Sequence, residues 1–203
     1  MPYGYLGQTP NQQFKNSGVF SVGDAKALTD VGQLGGSLEL IQTQTVSGVS
    51  TVDFTSIQES SYDVHFLIAN NFHTTTDSDR GRLRFYESGS LESAGVYQRS
   101  EQQGRADGTF AEGNSTTSTS LNYIVNTGSS TNESGNAYCY IYNAGDSNKY
   151  TFMTYQTMTI QAIPQGMMGY GSGVLPQAST VDGFQFFAPG TSGTFSLYGI
   201  AGS

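Results

Sequence analysis

Catalysis needs titratable or nucleophilic side chains close together, and this sequence offers few. The chain contains two histidines, His65 and His73, and one cysteine, Cys139. A zinc site needs about three nitrogen or sulfur ligands from the protein, so no zinc centre is expected. His65 alternates with Val64 and Phe66 and reads as a hydrogen-bonded histidine within a sheet. Cys139, in YCYIY, has no second cysteine to bridge and reads as a small buried hydrophobe. Asp77, Asp79 and Glu87 could approach a calcium ion from TTTDSDRG, but Ser88 stands where an EF-hand places its closing glutamate. That stretch reads as a surface loop followed by a strand.

Nucleophile and phosphate motifs fail in the same way. Ser172 in GYGSGV has Tyr170 and Val174 where a nucleophile elbow requires glycines. The glycines there cannot cradle a phosphate, because no helix follows before Pro176. Carboxylates are scattered, and no glycosidase pair can be nominated from sequence. No catalytic residue, cofactor or metal is assigned, and the expectation is a protein that is not an enzyme.

Arg80, Arg82 and Arg84 stand at every second position, so a strand would place all three on one face. The plain reading is a solvated face balanced by Glu39, Asp53 or Glu59. The functional alternative is a contact with a ligand or subunit, such as an anionic sugar.

The elements that must carry these residues follow from composition. The chain has 203 residues, a net charge of −8 and only 12% charged side chains, where an average domain has roughly 25%. Glycine, hydroxyls and amides abound, Trp is absent, and Tyr and Phe number 13 and 12. This is an all-β composition. The acidic balance lacks the basic footprint of a nucleic-acid binder. No run approaches the ~20 apolar residues of a membrane-spanning helix. MPYGYLGQTPNQQFKN has no charged start followed by an apolar run, so export by a signal peptide is not expected.

Residues 1–36 read as an extended arm holding one short helix. Asp24 or Ser21 would cap the helix and Gly35-Gly36 would end it. From residue 37 to 203 the period becomes two. Short strands are expected in SLELIQTQTV, STVDFTSI, YDVHFLIANN, RLRFYES and AGVYQRS, then in SLNYIV, NAYCYIYNA, KYTFMTYQTMTIQAI, GFQFFA and GTFSLYGI. With no helices between them they must pair antiparallel, and a jelly-roll-like sandwich of two sheets is the expected architecture. The tracts 100–120 and 126–136 read as polar loops.

One asymmetry points to a partner. Beyond Lys149 the chain has no Lys or Arg, and Asp182 is its only charged side chain from Tyr150 onward. A monomer normally protects its strands with charge. IPQGMMGYGSGVLPQ reads as an apolar loop, and GFQFFAPGTSGTFSLYGI as a hairpin closing the core on one face and meeting a subunit on the other. Candidate interface residues are Met167, Met168, Tyr170, Phe187 and Tyr198, and the arm offers Tyr3, Tyr5, Leu6 and Phe14 as anchors.

The blocks SLELIQTQTVSGVSTVDFTSI, YDVHFLIANN, LRFYESGSLESAGVYQ, YIYNAGDSNKYTFMTYQ and VDGFQFFAPGTSGTFSLYGI resemble a β-sandwich family common among tailed bacteriophages. Its members are described as virion structural, tail-fibre-like or minor capsid proteins. The resemblance spans roughly residues 37–200. It implies a virion component made in the host cytoplasm, assembled with itself as a trimer and with other virion proteins, and tethered by its arm. It carries no catalytic residue. The alternatives are a capsid decoration protein, and a lectin-like module recognising host polysaccharide through loops near 70–80, 100–118 and 126–136.

Overall fold

The computed structural model of the chain describes residues 38–162 and 165–201, together with Gly23 and Lys26. The chain divides into two units, Met1–Leu38 and Glu39–Ser203. Apart from Gly23 and Lys26, the arm and short helix expected over residues 1–36 lie outside the described residues, as do Tyr3, Tyr5, Leu6 and Phe14.

The second unit is all β. Its strands are β1 (Leu38–Phe54), β2 (Val64–His73), β3 (Asp79–Glu87), β4 (Ser90–Leu91), β5 (Tyr97–Arg105) and β6 (Phe110–Ser118). They continue as β7 (Leu121–Thr127), β8 (Gly135–Tyr142), β9 (Thr151–Gln161), β10 (Gln165–Leu175) and β11 (Val181–Ile200). One antiparallel sheet runs in the order β4-β3-β11-β2-β8-β9-β10-β5-β6, with β1 added to β11 and β7 to β3.

A single strongly curled sheet therefore replaces the two separate sheets expected from sequence, and β11 is the reason. Val181–Phe187 pairs with β3, and Ser192–Ile200 pairs with β2. Between these halves lie Pro189, Gly190 at φ 61°, and Gly193 at φ 142°, with a register shift between Ser192 and Thr194. The glycines allow backbone that other residues rarely adopt, and the bulge bends the strand without reversing it. PGTSG is thus a corner within one strand, where a hairpin turn was expected. The curl folds the β3 and β7 end of the sheet over the inner face of β8, β9 and β10.

Two stretches expected to be loops are strands. Residues 100–118 form the β5–β6 hairpin, which turns at Asp107-Gly108 with Gly108 at φ 86°. The Asp107 carboxylate accepts bonds from the Thr109 hydroxyl and backbone N–H, which hold its pKa down at about 2. The glycine-rich stretch around Met167 is β10. Gly169 and Gly173 face inward there, and a Cβ on either would collide with Val125 or Leu121 of β7. Glycine at alternate positions is what lets β7 lie close against the sheet.

The core fills the curl. Phe54, Phe72, Phe85, Phe184, Phe186 and Phe195 are fully buried, each contributing about 1.5–3 kcal/mol of burial free energy. Phe186 anchors the packing, with Phe72 edge-on at 5.2 Å and Tyr123 edge-on at 5.9 Å. The Tyr123 hydroxyl lies 2.9 and 3.2 Å from the carbonyl oxygens of Leu67 and Ala137, tying β7 to β2 and β8.

Candidate functional site: an uncharged outer sheet face

The alternation of β9 is complete: Thr151, Met153, Tyr155, Thr157 and Thr159 are buried, while Phe152, Thr154, Gln156 and Met158 are exposed. The exposed set belongs to a broad outer face, and the register lays its neighbours out in rows. One row runs Ile68, Tyr138, Gln156, Tyr170, Gln102 and then Glu112. A second runs Phe66, Tyr140, Thr154, Ser172, Ser100 and Asn114. A third joins Val64, Tyr142, Phe152, Val174 and Gln98. A fourth joins Asn136, Met158, Met168, Gly104 and Phe110.

The first charged side chain met in any of these rows is Glu112, on β6. From β2 to β5 the face is built of aromatic, aliphatic, hydroxyl and amide groups alone. Its apolar rim is the fourth row, where Phe110 is 77% and Met158 64% exposed. Its middle is polar but neutral. The Tyr138 hydroxyl donates to Gln156 Oε1 at 2.6 Å, and the Tyr170 hydroxyl donates to Gln102 Oε1 at 2.9 Å. These bonds hold the two rings in place, with their hydroxyls satisfied across neighbouring strands. Phe66 packs against Tyr140 at 4.7 Å and Tyr138 at 5.9 Å. Open depressions of about 430, 360 and 390 Å³ lie along this face.

Behind it sits the most polar part of the interior. Glu101 of β5 is 4% exposed and has glycine opposite it on both neighbouring strands, Gly171 and Gly113. The Glu101 side chain itself lies over Gly113 and the Tyr155 ring over Gly171, and donors surround the carboxylate. Arg80 Nη1 lies 2.9 Å and Gln103 Nε2 3.3 Å from Oε1, and Asn122 Nδ2 lies 2.7 Å and the Tyr155 hydroxyl 2.9 Å from Oε2. Arg99 Nη1 adds an ion pair at 3.4 Å. Burial, and next the adjacent Glu101 charge, push the Tyr155 hydroxyl pKa up, so it remains a donor. With every carboxylate oxygen occupied, the cluster is a brace joining β3, β5, β7 and β9 rather than an acid or base waiting for substrate.

The arginine ladder is held by local contacts. Arg80, Arg82 and Arg84 do share a face, but their partners are not Glu39, Asp53 or Glu59. Arg80 meets Glu101, Arg82 meets Asp79 at 3.2 Å, and Arg84 donates from Nε to the Thr119 carbonyl at 3.1 Å. The Arg84 guanidinium also stacks 4.3 Å from the Phe187 ring centroid. Asp53 instead accepts from Tyr86 at 2.6 Å and Gln185 at 2.9 Å, while Glu39 accepts from Tyr62 at 2.7 Å.

Of the residues expected at an interface, Met168, Tyr170 and Tyr198 lie on the outer face. Met167 is fully buried, because it is the inward neighbour of Met168. Phe187 lies apart, half-buried beneath Arg84. Phe110, Tyr138 and Met158 belong to the face although the sequence reading did not single them out. The outward period of β9 was the signal for Met158, whereas Phe110 was hidden in a tract that reads as loop. His65 is buried, and its Nε2 lies 2.8 Å from the Ile57 carbonyl. Burial lowers its pKa, so the ring is neutral and Nε2 donates. Among the described residues no three His, Cys, Asp or Glu side chains gather to hold a metal ion.

No protein-family model, curated protein or solved structure matches this chain.

Proposed function

We propose that the chain is a non-enzymatic structural component of a tailed-bacteriophage particle, a tail appendage or fibre component that assembles as a homo-oligomer and is tethered by its N-terminal arm. One observation carries the assembly part: rows spanning β2, β8, β9, β10 and β5 without a charged side chain, in a chain of net charge −8. Two such chains repel at long range, and a face with few carboxylates is where close approach meets the least electrostatic cost. The exposed Met158, Met168 and Phe110 supply the apolar area such a contact buries. The virion assignment comes from the family resemblance of the sequence blocks, and the curled sheet supplies the facing walls that a sandwich would have.

The test is size-exclusion chromatography with light scattering on the native chain and on Tyr138→Lys and Met158→Lys. The native chain assembles, while both variants shift to a smaller species with an unchanged melting temperature. A native chain that stays monomeric at high concentration overturns the assembly reading. Finding the chain absent from purified particles overturns the virion reading.

A lectin-like module is the second reading. It is favoured by Tyr138 and Tyr170, two exposed rings on one row, each tied by its hydroxyl to a glutamine and set beside shallow depressions. This moves the sugar site from the loops to the sheet. A glycan array separates the readings, since binding lost in Tyr138→Ala supports the lectin and an empty array removes it.

A further inference from the structure

The two ends of the sheet are finished differently. At one, β3 is covered by β7 along Asp79–Leu83 and by β4, only two residues long, at Tyr86–Glu87. The other ends in β6, nine residues long, whose far edge has no strand beside it among the described residues. β6 reads FAEGNSTTS, with no proline, lysine or arginine and with Glu112 its only charge. Natural edges are normally blunted by those residues or by being short. The bulge that disturbs this hairpin lies toward its Ser115–Ser118 end, leaving Phe110 to Ser115 in regular register with Gly104 to Arg99.

The register also shows which backbone groups are unused. Arg105 N donates to Thr109 O, and bonded and non-bonded pairs alternate along an antiparallel ladder. Ala111 and Gly113 therefore turn their backbone groups toward β5, and Phe110, Glu112 and Asn114 turn theirs away. Beside this edge lies an open depression of about 380 Å³ lined by Gln102, Phe110, Ala111 and Glu112. Strand addition of the kind seen in peptide-binding sheets uses these two parts, free main-chain groups and an adjacent hollow for a side chain.

We propose that β6 pairs antiparallel with β6 of a second copy of this chain, joining two curled sheets into one. This rests on the homo-oligomer reading above and names one of its contacts. A second copy suits the edge because a two-fold pairing centred on Gly113 or Asn114 sets Glu112 opposite Asn114 or Thr116, keeping the two carboxylates apart. It also continues the outer face across the junction, where Glu112 of each copy is the one charge that β6 brings.

The experiment uses the full chain. Asn114→Pro removes an N–H that points away from β5, so the ladder with β5 is retained. Asn114→Ala is the control, and Asn114→Lys places a gatekeeping charge without touching the backbone. Asn114→Cys with a short bis-maleimide gives a covalent dimer from the native-like assembly, since the native thiol, Cys139, is buried. The expected result is a smaller assembly in the Pro and Lys variants, the native assembly in the Ala variant, and a cross-linked dimer from the Cys variant. Association unchanged in Asn114→Pro, or no cross-link in an associated sample, overturns the edge contact. If Met158→Lys dissociates that same sample, the outer-face contact stands while the edge proposal fails. A monomeric native chain overturns both.

Discussion

The hydroxyl of Tyr155 reaches over the backbone of a third strand to Glu101, 2.9 Å away, and Gly171 is the residue it passes. Gly171 is paired in register with Tyr155 on one side and Glu101 on the other. A Cβ there would sit 2.8 Å from Tyr155 Cε1 and 3.0 Å from Glu101 Cβ. The brace exists because this position has no side chain.

Gly171→Ala should therefore destabilise the fold by about 1–3 kcal/mol through overpacking. Tyr155→Phe should cost roughly 1.5–3 kcal/mol, the usual worth of a hydrogen bond to a charged group. Urea denaturation measures both. If the brace is a unit, the double variant loses less than the sum of the two.

Glu101→Ala should be the most damaging single change in the interior, at about 3–5 kcal/mol, because it leaves the partly buried Arg80 and Arg99 uncompensated. Glu101→Gln keeps the volume and part of the bonding and should cost less. Equal losses in the two variants would show that the charge, which both remove, is what matters there, and that the retained volume and bonds are not.

His65 gives the fold a dependence on acid. Burial lowers its pKa, so the unfolded chain takes up a proton below the ordinary histidine value of 6.5 while the folded chain resists it. The stabilisation from the neutral ring is present above that pH and drains away as pH falls through the folded pKa. His65→Gln, which can still donate to the Ile57 carbonyl, should flatten the part of the stability profile between pH 7 and the folded pKa. An unchanged profile would place the acid sensitivity elsewhere.

At the alkaline end, burial and then the bond to Asp53 push Tyr86 up to about 12. Its contribution to stability is present below the ordinary tyrosine value of 10.0 and is lost as pH rises toward 12. Asp53→Ala should bring the ultraviolet titration of one tyrosine back toward the ordinary range, and no change would mean that burial alone sets it.

Particular elements show what the sequence could tell. The period-two stretch around Met153 reads correctly as a strand because both of its faces have side chains, one apolar or β-branched and one mixed. The stretch around Gly171 does not, because its inward face is glycine and composition then resembles a loop. The reason for glycine is a distant one, the close approach of β7. β6 is missed because an edge strand wet on both faces needs no apolar alternation. The polar outer face was legible as a lack of charge, but its rows required the register. Glu101 carries no local mark at all: a carboxylate between Ser100 and Gln102 looks exposed until its glycine neighbours are placed beside it.

The bend at Pro189–Gly193 also bears on how the chain is made. Because the strand carrying it pairs with β1, β3 and β2, both walls of the curl wait for residues near position 200 before they can join. A ribosome emitting this chain holds the preceding strands of the sheet without their keystone until that segment emerges. Folding should then begin only after synthesis of that segment, and nascent chains halted before it should stick to one another or to chaperones.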